Sequence, residues 1–459
     1  MRQEEIQKTY QAAKDFFATK QTLTLEFRQE SLAALEKAIK RYEKELYGAL
    51  KQDLNKSEHE AYVTELSLLY DELRLAQKKL KSWARPKRVK PTLAQLPGSV
   101  RVQAEPYGVA LIMSPWNYPV LLTLNPLLGA IAAGNVCLVK PSAYSPATSS
   151  VLARLIHESL PAGLAYVIEG GREENSSLLD LPFDYIFFTG SPGVGRLVME
   201  KASRHLTPVT LELGGRSPVI VDETADIAKT ARRLTFGKLT NAGQTCIAPN
   251  HVFVQRTVAE ELKDNLVENF QHSFPNEAYY RAYYPQIINE KHYQRLLNLL
   301  EGQNIVVGGK ANAATLQIEP TIVMEPLPDA PLMQEEIFGP ILPLVIYDDL
   351  VELLDRIRKE PKPLALYYFT SRKDLARRVL SEVSFGGGCI NDCLVHIATP
   401  YAPFGGVGNS GMGNYHGEAS FRAFSHYKTV VHKAWQADVE LRYHPFDAKK
   451  LKWAKRLLG

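Results

Sequence analysis

From Tyr107 to Val139 the chain carries no charged side chain, and this run constrains everything packed around it. It is long enough to cross a bilayer. Pro115, Pro119 and Pro126, with Asn117, Asn125 and Asn135, break it into pieces. It therefore reads as a strand, a loop, a helix and a second strand, buried in the sheet of a soluble protein.

Short apolar runs of the same kind recur downstream, separated by helical stretches: Val136 to Val139, Tyr166 to Ile168, Tyr185 to Phe188 and Val209 to Leu213, after the first at Val109 to Met113. Strands alternating with helices imply a parallel, doubly wound sheet. A second series, Pro218 to Val221, His251 to Gln255, Ile341 to Ile346, Leu366 to Thr370 and Gly387 to Asn391, predicts a second α/β domain, with the boundary near Glu212 to Ser217. Residues 1 to 85 read as helices, because Leu32, Leu35, Ile39, Tyr42 and Leu46, then Leu66, Leu69, Leu73 and Leu80, recur at three- and four-residue steps. Between Pro86 and Pro106 a basic, proline-containing connector leads into the alternation Val100 to Ala104, expected as an exposed hairpin or edge strand.

The 459 residues, 45% hydrophobic and 23% charged, suit two or three globular domains. Four cysteines, Cys137, Cys246, Cys389 and Cys393, are too few for a disulfide framework, which points to a reducing cytoplasm. Cys389 and Cys393 with His396 make an incomplete zinc set, so no metal is expected. The charged start Met1 to Glu5 does not resemble a secretory signal. Five basic groups and no acid fall in residues 449 to 459, leaving a nearly neutral body that argues against nucleic-acid binding. On a helix, Leu451, Ala454 and Leu458 would share a stripe with Trp453 at its margin. Such a tail either lies on a membrane surface or packs on the body or a partner chain.

Cys246 lies in Asn241-Ala-Gly-Gln-Thr-Cys-Ile-Ala-Pro249, among small and polar residues rather than in an apolar run. It is either a buried inert thiol or a nucleophile that needs a base or a positive field elsewhere in the chain. Glu212, in Leu211-Glu-Leu-Gly-Gly215, sits at a buried strand end, where a carboxylate pairs with a cation or has a raised pKa suited to general-base work. Asn117, in Pro115-Trp-Asn-Tyr-Pro119, satisfies its local backbone or donates to a reacting oxygen. Phe187 to Gly195 places a strand end before Gly190, Gly193 and Gly195, with Ser191 and Pro192 suited to cap and start a helix. That junction offers N–H groups to an anion. It departs from the usual dinucleotide fingerprint, since a serine follows the first glycine. Lys140 ends a strand and is either a solvated lysine there or projects into the crevice where open α/β sheets bind nucleotides.

These segments, together with Lys140-Pro-Ser142, Gly243-Gln-Thr-Cys246, Glu335-Glu-Ile-Phe-Gly-Pro340 and Pro403 to Gly411, resemble the aldehyde dehydrogenase superfamily in order and spacing, as far as about residue 432. Gly408 to Gly417 with Phe424-Ser-His426 looks like its class 3, fatty- and aromatic-aldehyde branch. The resemblance implies a dinucleotide-binding domain over 1–85 and 107–211 and a catalytic domain over 212–400. It also implies a bridging, oligomerisation element from 86–106 and 420–440, a basic tail over 441–459, and a homodimer. Cys246 would attack the aldehyde to form a thiohemiacetal, its oxyanion held by the Asn117 amide and the Cys246 N–H, each donor worth roughly 3 kcal/mol. After hydride transfer to NAD or NADP, Glu212 would activate the water that hydrolyses the thioester. Lys140 would bind the adenosine ribose, Ser191 the pyrophosphate, and Glu336 with Phe338 the nicotinamide ribose. Ser142, Ala143, Gly190, Gly195 and Gly214 complete the expected cofactor set. The rivals are an acylating relative using coenzyme A or phosphate, and a silent structural protein on the same fold.

Two residues depart from the family pattern. Arg216 stands where lysine is usual, with a small expected effect. Ala143 stands where many members carry a glutamate that bonds the ribose 2′-hydroxyl and repels a 2′-phosphate, so NADP is expected to be accepted beside NAD.

Overall fold

The computed structural model describes residues 3–436 and 438–458. Met1, Arg2, Ala437 and Gly459, at the margins of or within the expected segments, lie outside the described residues, as does the Leu458 side chain expected on the tail stripe.

The N-terminal helices form where the leucine stripe predicts them. Leu25–Leu54 is capped by Thr24, whose hydroxyl accepts from the Phe27 N–H at 3.3 Å, and stops at Asn55 in the left-handed region. Leu32, Leu35, Ile39 and Leu46 are fully buried on one face, and Leu69, Leu73 and Leu80 continue it in Ser67–Trp83. Between these helices Tyr62–Leu66 is wound as a π turn, a rare conformation that turns Glu65 inward.

β1 (Lys87–Val89) and β2 (Gly98–Pro106) join β18 (Ser425–Lys433) in an antiparallel sheet of order β1-β2-β18. The alternating segment is therefore a central strand, not an edge or a hairpin arm alone. Its second partner comes from the far end of the chain, which local alternation does not reveal.

β3 (Val109–Met113), β4 (Val136–Lys140), β5 (Ala165–Val167), β6 (Tyr185–Gly190) and β7 (Val209–Leu213) are mutually parallel, and β17 (Gly411–Met412) adds antiparallel to β7. The order is β17-β7-β6-β3-β4-β5. From β3 the chain winds outward one way to β5 and then back across to β6 and β7, so a crevice opens at the carboxyl ends beside β3. The uncharged run supplies β3, the helix Leu121–Ala133 and β4 as far as Val139, and every residue of these elements, Lys140 included, is buried.

The second sheet contains β8 (Pro218–Val221), β9 (His251–Gln255), β10 (Ile305–Val307), β13 (Thr321–Met324), β14 (Ile341–Tyr347), β15 (Ala365–Phe369) and β16 (Gly387–Ile390), in the order β10-β13-β14-β9-β8-β15-β16. The short β11 (Ala311–Asn312) and β12 (Gln317–Ile318) pair beside it. β10 and β13 extend the expected series, each too short between turn residues to carry a clear period. No helix among the described residues is long and apolar enough to cross a membrane.

Candidate active site

The carboxyl ends of the first sheet deliver the chemistry. Lys140 closes β4, Gly190 closes β6, Glu212 is the penultimate residue of β7, and Asn117 lies on the loop leaving β3. β17 pairs Gly411 with Glu212, so the segment Pro403 to Gly411 flanks the strand that carries the carboxylate.

Glu212 is buried, and neither carboxyl oxygen has a hydrogen-bond partner. Desolvation raises its pKa well above the ordinary carboxylate range. The ion-pair reading of this residue is therefore not what the structure shows. A carboxylate in this state is a strong base once ionised.

Cys246 follows the tight turn Thr240–Gly243, in which Asn241 (φ 52°) and Ala242 (φ 51°) are left-handed without being glycine. Such backbone persists only where its surroundings impose it. Asn241 Nδ2 donates to the Asn117 carbonyl at 2.8 Å, and Asn117 Nδ2 donates to the Gln244 carbonyl at 3.0 Å, which ties the β3 loop to the cysteine loop. Tyr118 and Thr245 share a hydroxyl hydrogen bond at 2.5 Å. The Cys246 sulfur is half-buried, and burial, then Glu336 and Glu212, push its pKa up, while the N–H groups of Cys246 and Ile247 pull it down. The thiol is thus held protonated until a positive charge or a proton acceptor arrives.

Two cavities meet at this sulfur. The larger, about 890 Å³, runs along the carboxyl ends past Lys140, Ser142, Ala143, Gly190, Ser191 and Gly214 to Glu336 and Phe338. The smaller, about 210 Å³, is walled by aliphatic and aromatic side chains including Leu68, Leu121, Phe236, Leu394 and Phe404. Cys246, Glu212, Thr189, Leu122 and Leu213 line both. One cavity is shaped for a long ligand with polar contacts, the other for an apolar one, and the thiol and the carboxylate stand where they join.

The residues of the larger cavity fit a dinucleotide. Ser191 caps the helix Pro192–Ser203, accepting from the Val194 N–H at 3.5 Å, and the positive end of that helix faces the cavity. Lys140 is buried with its ammonium on the Pro141 carbonyl at 2.7 Å, and burial lowers its pKa to about 8. Ser142 accepts from the Tyr144 N–H at 3.2 Å. Glu336 Oε1 is buried without a partner, which leaves an acceptor for a hydroxyl donor. Burial raises the Glu336 pKa to about 7, against the Gly215 N–H, Arg295 and Lys238. Gly214 permits this placement, since a Cβ there would lie 2.1 Å from Glu336 Oε2. Phe338, at φ 49°, meets Trp116 edge-on with ring centroids 5.4 Å apart.

Gly195 differs from expectation. It does not line the cavity, and a Cβ there would lie 2.5 Å from Leu213 Cδ2. It lets the helix Pro192–Ser203 approach β7, so its place is in helix-to-strand packing rather than at the ligand. Arg216 does line the cavity, donating to the Met333 carbonyl and pairing with Glu360 at 3.3 Å. Cys389 and His396 stand 3.6 Å apart, and among the described residues no group of three or more His, Cys, Asp or Glu could hold a metal ion.

Residues 1–430 match the model of the aldehyde dehydrogenase family. The chain belongs to that family. The 4,4′-diaponeurosporen-aldehyde dehydrogenase of Staphylococcus aureus is 46% identical to it over 97% of both chains, and the dimeric NADP-preferring aldehyde dehydrogenase of Canis lupus familiaris is 40% identical over 97% of this chain and 98% of that one. The substrate-bound structure of Staphylococcus aureus AldH superposes with a TM-score of 0.96 at 45% identity, covering 99% of each chain. The dehydrogenase oxidises an aldehyde with NAD or NADP, and its two doubly wound sheets are those of the family fold.

Sequence reasoning missed several residues of this dehydrogenase's site. Lys56, Glu60 and Glu65, from the loop and turns between the N-terminal helices, bond the Asn117 and Asn241 loops behind it, and nothing local marks these charges as buried. Asn241 and Tyr118 lay inside motifs already singled out, but nothing local distinguished them from their neighbours.

Proposed function

We propose that the dehydrogenase converts medium- or long-chain aliphatic or aromatic aldehydes to free carboxylic acids through a covalent intermediate on Cys246. The observation that carries this is the meeting of the apolar and the polar cavity at Cys246 and Glu212. Among the described residues the apolar cavity wall carries no Lys, Arg or His, so an anionic substrate would lose hydration there without a partner. The diaponeurosporen-aldehyde in the name of the Staphylococcus relative supports a long apolar substrate.

Cys246, its thiol proton given up to solvent water, adds as thiolate to the carbonyl carbon, and the oxyanion is held by the N–H of Asn117 Nδ2 that is not on the Gln244 carbonyl and by the backbone N–H of Cys246. Bound NAD(P)⁺ supplies a hydride acceptor and a positive charge. Lys140, Ser191 and Glu336 orient it, with Ser142, Ala143, Gly190, Gly214 and Phe338 shaping the wall. Glu212, ionised above its raised pKa, takes a proton from the water that attacks the thioester, and Cys246 leaves as thiolate. Ala143 leaves no carboxylate against a 2′-phosphate, so NADP is accepted beside NAD; the NADP-preferring canine relative supports this.

The sheet β1-β2-β18 serves as the bridging element of a homodimer, in keeping with the dimeric relative and with exposed Val89, Tyr427 and Val431. Reduced cysteines fit a cytoplasmic enzyme. The terminal helix Ala448–Leu458, basic with exposed Leu451 and Trp453, touches anionic membrane peripherally.

Product analysis tests the reaction. An aliphatic aldehyde series should give free acid without coenzyme A or phosphate; dependence on either would install the acylating reading instead.

A further inference from the structure

Lys56 and Glu65 form an ion pair with no exposed side-chain surface, Nζ to Oε1 2.7 Å, far from any surface role. Each partner has further bonds. Lys56 Nζ donates to the Asn117 carbonyl at 3.2 Å and stands 4.3 Å above the Tyr118 ring. Glu65 Oε2 accepts from the N–H groups of Val120 and Leu121, at 2.9 and 3.1 Å. Those are first-turn donors of the helix Leu121–Ala133, whose own N-cap position is Val120, with no side chain able to cap. A carboxylate from another helix supplies the cap and complements the helix dipole.

The pair thus grips the Asn117 loop at two points, the Asn117 carbonyl and the helix that follows it. The Asn241 amide adds a second bond on the same carbonyl. With the backbone so held, the Asn117 side chain has one N–H on the Gln244 carbonyl and the other left for a ligand oxygen. The π turn Tyr62–Leu66 makes this possible, since it carries Glu65 inward while Val63 and Thr64 line the apolar cavity.

We infer that the buried Lys56–Glu65 pair is a positioning device that holds the Asn117 amide in register with Cys246. Neither residue lines either cavity, so both act through Asn117. The inference rests on Asn117 being the oxyanion donor.

The test uses the full-length enzyme with saturating NAD(P)⁺ and compares Asn117→Ala, the neutral double variant Lys56→Met/Glu65→Gln, and the triple variant. The double variant removes both charges together, avoiding a lone buried ion, and keeps an acceptor for the helix N–H groups. Asn117→Ala should lower kcat by ~100-fold or more. The double variant should keep its folded circular-dichroism spectrum and its KM for the cofactor while losing ~10- to 100-fold in kcat. The triple variant should be no slower than Asn117→Ala, because a positioning residue has nothing left to position. A double variant with wild-type kcat beside a damaged Asn117→Ala overturns the positioning role and leaves the oxyanion assignment standing. An undamaged Asn117→Ala overturns that assignment itself. A further loss in the triple variant, or a double variant unable to fold, makes the pair a structural element and overturns the inference.

Discussion

Glu212 and Cys246 owe their character to where the chain leaves them rather than to their type. A carboxylate flanked by Leu211 and Leu213 was open to two readings, and the absence of any hydrogen-bond partner decides against the ion pair. The Cys246 setting was legible because small and polar residues surround it. Its strained turn was not, since left-handed Asn241 and Ala242 depend on bonds to distant loops. Ala143 is the residue whose effect reads most directly. Ala143→Glu should move the ratio of kcat/KM for NAD to that for NADP toward NAD by ~10-fold or more, from repulsion of the 2′-phosphate. An unchanged ratio in steady-state kinetics would place cofactor discrimination elsewhere on the cavity wall.

At the scale of elements, the parallel strands were legible because burial on both faces leaves continuous apolar runs such as Val109–Met113. The alternation of β2 reads locally as a hairpin or edge strand; β1 does pair with it antiparallel, and β18 from the other end of the chain takes its second edge and makes it central. Gly195 was assigned to the ligand from its motif, and the contact with Leu213 reassigns it to packing. Gly195→Ala should therefore destabilise the fold by about 1–3 kcal/mol through overpacking while leaving the cofactor KM unchanged. Thermal unfolding with cofactor titration measures both, and a raised KM at unchanged stability would return Gly195 to the cavity. Co-sedimentation with anionic vesicles should be lost on deleting residues 449–459 and weakened by salt; equal sedimentation of both forms would rule the tail out.

For the whole molecule, two sheets are set so that one provides the carboxyl-end crevice and Glu212, while the loop after Thr240 brings Cys246 across to it. Motif order made that convergence legible. The supports were not legible, because Lys56, in the loop after Leu25–Leu54, and Glu65, in the π turn, stand among charged neighbours that look like surface. In the proposed reaction Cys246 carries an acyl group which Glu212 releases. The most direct measurement is pre-steady-state absorbance of the reduced cofactor with Glu212→Gln, followed by intact-protein mass. Glu212→Gln should give a burst of one reduced cofactor per site, then turnover slowed by ~100-fold or more, with the acyl mass on Cys246. Full turnover without Glu212, or slow turnover with neither burst nor adduct, would contradict it.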